Sequence, residues 1–207
     1  MKAQCLPFAQ IPHATRLFLD YLSYSEKVRS FYPRTSLLSD WLQDETAALR
    51  YDPSRRERVS TILERQNKAW DASPKSLQNL ARLRAGACAV VTGQQVGLFG
   101  GPAFSLFKAL TAIKLAAEAT AAGVECVPVF WLATEDHDLA EVNQVSLPGP
   151  QGSLQKLAAT TQSLPDAPVS TVQFGEEIAP TVQAAIGLLG ESDISGWLRD
   201  CYRPGET

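Results

Sequence analysis

The sequence predicts an α/β protein built on parallel strands, and three observations carry that reading. Two short apolar runs rich in β-branched residues, CAVVT (88–92) and VECVPVFWLAT (124–134), have the character of buried strands. Between them lies a helix-forming stretch from about Ala103 to Ala122, closed by Gly123. A turn dense in glycine, within VVTGQQVGLFGGPAFS (90–105), joins the first run to that helix. Strand, long helix, strand is a βαβ unit, and such a crossover makes the two strands parallel.

The elements before the first strand are helical. Thr15 is placed to cap a helix beginning RLFLDYL. From Ser54, the run SRRERVSTILERQNKAW puts Val59, Ile62, Leu63, Gln66 and Trp70 on one helical face. Arg55, Arg58, Arg65 and Lys68 fall on the other, as a solvated surface. Ser73-Pro74 is an N-cap followed by proline at the first helical position, and that helix carries Leu77, Leu80 and Leu83 before stopping at Gly86. The helix from Ala103 is apolar almost all round (Phe104, Leu106, Phe107, Leu110, Ile113, Leu115), which predicts packing between the sheet and a second layer. After Asn143, QVSLPGPQGSL and SLPDAPVSTVQFGEE alternate in short runs that suit edge strands or a hairpin. APTVQAAIGLL and DISGWLRDCY suggest two closing helices. The expected organisation is therefore a helical segment over 1–86, a first βαβ unit over 87–145, and connecting insertions and helices over 146–207. Two strands are few for a parallel sheet, so the chain is expected to be a truncated portion of a larger core.

Composition narrows the function classes. With 207 residues, 45% apolar content and a net charge of −3, the chain suits one sizeable domain with a helical appendage. No basic stripe points to nucleic acid, and no segment reaches the length of a membrane span. The opening MKAQCLPFAQIPHATR lacks the apolar run of a signal peptide. Cys5, Cys88, Cys126 and Cys201 are scattered without metal-type spacing, as in a reduced, cytoplasmic protein.

Two places could carry chemistry. Gly93, Gly97, Gly100 and Gly101 satisfy neither the P-loop nor the dinucleotide fingerprint. They do occupy a turn at the carboxyl end of a parallel strand, where ligands approach the backbone closely. Thr92, Gln94 and Gln95 add a hydroxyl and two amides that bond polar ligands without charge. The alternative is a tight turn whose glycines only supply unusual backbone angles. The second place is TEDHD (134–138), also at a strand end, where Glu135, Asp136 and Asp138 surround His137. A carboxylate beside an imidazole makes a general acid or base; acidic residues also simply favour a helix start. A metal site is disfavoured, since no second histidine is suitably placed. Lys108, in an apolar helix, either extends its ammonium to the surface or reaches an acidic partner or ligand phosphate. The βαβ geometry brings both strand ends to one crevice.

VVTGQQVGLFGGPAFSLFKALTAIKLA followed by VPVFWLATEDHDLAEVN closely resembles the bacillithiol-synthesis cysteine-adding family, BshC, as do FLDYL near the start and YRPGET at the end. The resemblance implies a Rossmann-like core related to class I aminoacyl-tRNA synthetases and nucleotidylyl transferases. It implies a ligase that joins L-cysteine to the free amine of glucosaminyl-malate, with ATP or another nucleotide as activating cosubstrate. Carried over, Thr92, Gly93, Gln94, Gln95 and Gly97 would bind substrate, with Glu135 and Asp138; Lys108, from its place in the helix, is a further substrate-binding candidate. His137 and Asp136 would be catalytic. Family members are longer, and continue into a C-terminal coiled coil that makes homodimers. Two other readings stand beside this one: a nucleotidylyl-transferase-like enzyme with a different acceptor, and a truncated, non-catalytic relative.

Overall fold

A computed structural model describes residues 5–161 and 166–206. The first four residues of the N-terminal stretch, residues 162–165 (the last three of them in the Pro/Gly/Ser-rich segment) and Thr207 lie outside these ranges. In chain order the helices are α1 (Arg16–Leu22), α2 (Glu26–Arg29), α3 (Leu42–Ala48), α4 (Pro53–Ala69) and α5 (Pro74–Ala85). Strand β1 (Cys88–Gln95), helix α6 (Ala103–Ala121) and strand β2 (Cys126–Ala133) follow. Next come α7 (Leu139–Val142), β3 (Gln144–Pro148), β4 (Leu154–Ala158), α8 (Ile178–Leu189) and α9 (Asp193–Cys201). β1 and β2 are neighbours in a two-stranded parallel sheet, and β3 and β4 form a second, antiparallel one. The chain divides into two compact units, Met1–Cys88 with Ala116–Val127, and Ala89–Leu115 with Pro128–Thr207.

In the first unit, α4 and α5 form a helical hairpin. Asp52 caps α4 by accepting from the Ser54 and Arg55 amides, and Ser73 caps α5 by accepting from Ser76. The face of α4 that packs is not the one its apolar spacing predicts. Ser60 is fully buried, with Arg56, Leu63, Glu64 and Asn67 half-buried along the same stripe, while Val59, Ile62 and Trp70 are exposed. The reason lies in the partner helix. Arg56 donates to the carbonyls of Leu83 (2.8 Å), in the last turn of α5, and Ala87 (2.9 Å), just beyond it. Arg84 of α5 pairs with Glu57 and Glu64. These polar anchors, with the small Ser60 at the contact, turn α4 about its axis relative to the hydrophobic expectation. Leu83, Ala87 and Val127 form the buried apolar cluster, with Leu63 against it. Arg82 grips Glu125 through two nitrogens (3.0 and 2.7 Å) and reaches the Cys126 carbonyl, and Thr120 bonds both backbone groups of Cys126. The buried Cys126 thiol is pushed up by burial.

In the second unit the core is formed by Leu98, Ala159, Ile178, Val182, Ile186 and Leu198. Each large aliphatic side chain buried there is worth about 1.5–3 kcal/mol over exposure. Helix α8 lies on the β3–β4 hairpin, whose register pairs Gln144 with Ala158 and Pro148 with Leu154. Thus QVSLPGPQGSL contains the first strand, the turn and the opening of the second. Among the described residues of the following segment, 166–177, there is a single 3₁₀ turn and no strand. The closing YRPGE is tied back by Phe174 N–H to Glu206 C=O (2.9 Å) and Gly205 N–H to Phe174 C=O (2.8 Å).

Two expectations about the βαβ region change. Strand β1 does not end at Thr92 but runs through Gln95. The ladder persists because Gly93 has no side chain: a Cβ there would stand 2.8 Å from both Cβ and O of Trp131. The strands and α6 are also less covered than their apolarity predicts. Val91 is 60% exposed, and Phe104, Leu106, Phe107, Leu110 and Ile113 all face outward. What α6 buries are small residues, Ala112, Ala116 and Ala119. Among the described residues no second layer covers the large ones.

Candidate functional site

Every residue of the candidate site belongs to the second unit, at the carboxyl ends of β1 and β2. The turn after β1 is held from below. Leu98 is buried in the core, and the ring of Phe99 meets Tyr202 edge-on at 4.9 Å. Tyr202 in turn contacts Phe174, and burial pushes its hydroxyl pKa up. Phe99, Gly100 and Gly101 all have positive φ (54°, 87° and 73°), so the chain reverses within three residues before α6 begins. Gly97 and Gly101 pass so closely that a Cβ on Gly97 would sit 2.9 Å from the Gly101 Cα. Part of the glycine signal is therefore turn geometry, and part is strand contact at Gly93.

With the turn fixed, the two glutamines meet charged groups on both sides. Gln95 Nε2 donates to Asp136 Oδ2 at 2.7 Å and to Glu141 Oε2 at 3.1 Å. Gln94 Nε2 donates to Gln95 Oε1 at 3.3 Å, and Lys108 Nζ donates to Gln94 Oε1 at 3.1 Å. Lys108 also lies 5.8 Å from the Phe104 ring centroid, a cation–π distance. Its partner is thus a neutral amide rather than a carboxylate.

Asp136 is the most heavily bonded acid here. Its Oδ1 accepts from the amides of His137 (2.7 Å) and Asp138 (3.2 Å), while Oδ2 takes Gln95. The Gln95 bond, then the Asp138 amide, outweigh the opposing burial and hold its pKa below the usual aspartate value; the His137 amide and imidazole add to this. The loop is pinned from outside as well, since Val169 N–H donates to Asp136 C=O (2.8 Å) and Ser170 N–H to Thr134 C=O (3.1 Å). Asp138 caps α7, accepting from the Glu141 amide at 3.2 Å. Glu135 accepts from Trp131 Nε1 at 3.3 Å. The His137 side chain is 65% exposed, with Nδ1 3.9 Å from Asp136 Oδ1.

The structure therefore brings Gln94, Gln95, Lys108 and Asp136 into one hydrogen-bonded line. Glu135 and Asp138 are engaged with their own local partners instead. Thr92 and Gly93 lie in β1 and Gly97 in the turn, flanking the line. Glu141 is the member that sequence reasoning missed. Its signal was present as the Asp138-x-x-Glu141 spacing, which brings a helix cap and an acid three residues later onto one turn. Among the described residues, no three His, Cys, Asp or Glu side chains converge as a metal site would require. None of the described helices is long and apolar enough to cross a membrane.

Fold and site together define a Rossmann-like domain with a polar strand-end site. The model of the family described as "Bacillithiol biosynthesis BshC, N-terminal Rossmann-like domain" matches residues 1–204. The chain belongs to that family. A protein of Koribacter versatilis (strain Ellin345) named "Putative cysteine ligase BshC" is 47% identical over 207 residues, covering 100% of this chain and 39% of its own length. Proteins of the same name from Solibacter usitatus (strain Ellin6076) and Chlorobaculum tepidum (strain ATCC 49652 / DSM 12025 / NBRC 103806 / TLS) are each 37% identical. They cover 100% and 93% of this chain, and 38% and 36% of their own lengths. The chain thus spans less than two-fifths of the first curated relatives it matches.

Proposed function

We propose that this chain supplies the substrate-binding core of a ligase that joins L-cysteine to the amine of glucosaminyl-malate through an amide bond. One observation carries the reading beyond family membership: Gln95 and Asp136, on separate strand ends, meet at 2.7 Å. In open α/β sheets such strand ends are where ligands bind. In this reading Thr92 to Gln95 and Gly97 line the pocket. Glu135, Asp136 and Asp138 recognise the amines of cysteine or the sugar by charge-assisted hydrogen bonds. His137, exposed and beside an ionised Asp136, removes the proton from the attacking amine. Forming an amide from a free carboxylate is uphill in water, so the carboxyl group is first activated by ATP or another nucleoside triphosphate. Homodimerisation of the longer protein belongs to the same proposal.

The test is direct. A protein carrying this domain within the full family length is incubated with L-cysteine, glucosaminyl-malate and ATP, and bacillithiol is followed by mass spectrometry. The reading predicts product, and its loss by about 100-fold or more on His137→Ala, the usual scale of a general acid–base contribution. Absence of product from a folded, nucleotide-supplied protein contradicts the reaction. Unchanged turnover in the variant contradicts the role given to His137.

A further inference from the structure

The line through Lys108, Gln94, Gln95, Asp136 and Glu141 has a direction, and its two ends determine it. An ammonium can only donate, and an ionised carboxylate can only accept. With Lys108 donating to Gln94 Oε1 (3.1 Å), the Gln94 amide nitrogen is turned toward Gln95 Oε1 (3.3 Å). The Gln95 nitrogen is then left to face Asp136 (2.7 Å) and Glu141 (3.1 Å). Turning Gln95 over sets oxygen against the carboxylates at one end and NH₂ against NH₂ at the other, and turning Gln94 over sets its NH₂ against the Lys108 ammonium and its oxygen against Gln95 Oε1. A Gln95 flip would forfeit three bonds together. Chains of this kind also polarise along their length, so each bond supports the next.

We infer that Lys108 and Glu141 are positioning residues: from opposite ends, they hold the amides of Gln94 and Gln95 in a single orientation at the mouth of the site. Glu141 acts on the amide line through Gln95. It supplies the second acceptor that Gln95 Nε2 requires, because one Gln95 N–H serves Asp136 and the other Glu141. What a bound molecule meets then follows from the remaining valences. The Lys108–Gln94 end keeps spare N–H groups. The Gln95 amide keeps only an oxygen lone pair, beside two carboxylates. The surface is polarised, donor-rich at one end and acceptor-rich at the other. It suits a ligand with acceptor oxygens on one side and N–H or O–H groups on the other. The inference holds whatever reaction follows, so its failure and that of the ligase reading are separate events.

The experiment uses the 207-residue chain with ¹⁵N-labelled glutamine and assigned side-chain amide resonances. Three variants are compared with wild type: Glu141→Ala, Lys108→Met and Lys108→Arg. The backbone amides of Ala159, Ile178 and Val182 report an intact core. Glu141→Ala is expected to move the Gln95 side-chain protons toward the position of a solvent-exposed glutamine. Lys108→Met is expected to move the Gln95 resonances as well as those of Gln94, although Lys108 bonds only to Gln94 within the line. Lys108→Arg, which restores a donor-only end, should return both toward wild type. A merely structural lysine, packed on Phe104, would leave Gln95 unmoved. Should Glu141→Ala fail to fold, Glu141→Gln replaces it: its neutral amide lifts the acceptor-only condition, and Gln95 moves in the same direction by less. Gln95 resonances unchanged in a folded Glu141 variant, or in folded Lys108→Met, overturn the proposal.

Discussion

Gln95 and Asp136, 41 residues apart in sequence, share a 2.7 Å hydrogen bond in which the amide nitrogen donates to the carboxylate. That bond joins the end of β1 to the loop after β2. It is also the largest cause of the lowered Asp136 pKa.

The bond has a consequence in acid. Asp136 has a folded pKa below its unfolded value, so its stabilising contribution is present in full above the usual aspartate value. It is lost as the pH falls through the lower, folded value. Carboxyl ¹³C titration is expected to show Asp136 still ionised where exposed aspartates have begun to protonate. In Gln95→Leu its midpoint should move up toward the ordinary value. A wild-type midpoint at or above that value would show that these bonds do not favour the carboxylate.

Glycines at two positions should respond with opposite sign. A Cβ on Gly93 would meet Cβ and O of Trp131 at 2.8 Å, so Gly93→Ala forces the two strands apart and should cost about 1–3 kcal/mol. Gly187 lies inside α8 with open space around its would-be Cβ. Gly187→Ala should therefore stabilise by about 0.5–1 kcal/mol, through helix preference. Urea melts with unchanged slope read both. A Gly93→Ala midpoint equal to wild type would deny the close strand contact.

The packed face of α4 can be tested by two neighbouring positions. Ser60 is fully buried and Val59 exposed. Ser60→Leu should destabilise by about 1–3 kcal/mol from overpacking, whereas Val59→Ser should stay within about 0.5 kcal/mol of wild type. The reverse order would restore the face expected from apolar spacing alone.

Much of this architecture was legible because local rules and tertiary structure agree. Thr15, Ser73 and Gly86 begin or end helices as their chemistry requires, and the two apolar runs around a long helix announce the parallel pair. The α4 face was not legible, because Arg56 and Glu64 bond to another helix, and no single-helix periodicity contains that partner. The end of β1 was hidden for a related reason. TGQQ has turn-like composition, and only the approach of Trp131 shows that Gly93 serves a strand. In the site, the strand-end rule anticipated that Gln95 and the TEDHD loop would face one another. It did not supply Glu141, whose role depends on the short helix α7 returning it to Gln95. Nor did it anticipate that Lys108 would settle on Gln94, since a lysine in an apolar helix suggests a charged partner.

In the proposed reading, the ends of β1 and β2 form the surface that receives the substrates. Amide and carboxyl resonances of the 207-residue chain, recorded during addition of L-cysteine and then glucosaminyl-malate, test it most directly. Saturable shifts are expected, concentrated at Thr92–Gly97 and Glu135–Glu141, including the Gln95 side chain and the Asp136 carboxyl. Saturable shifts confined to residues elsewhere, with these two segments unmoved, would contradict it.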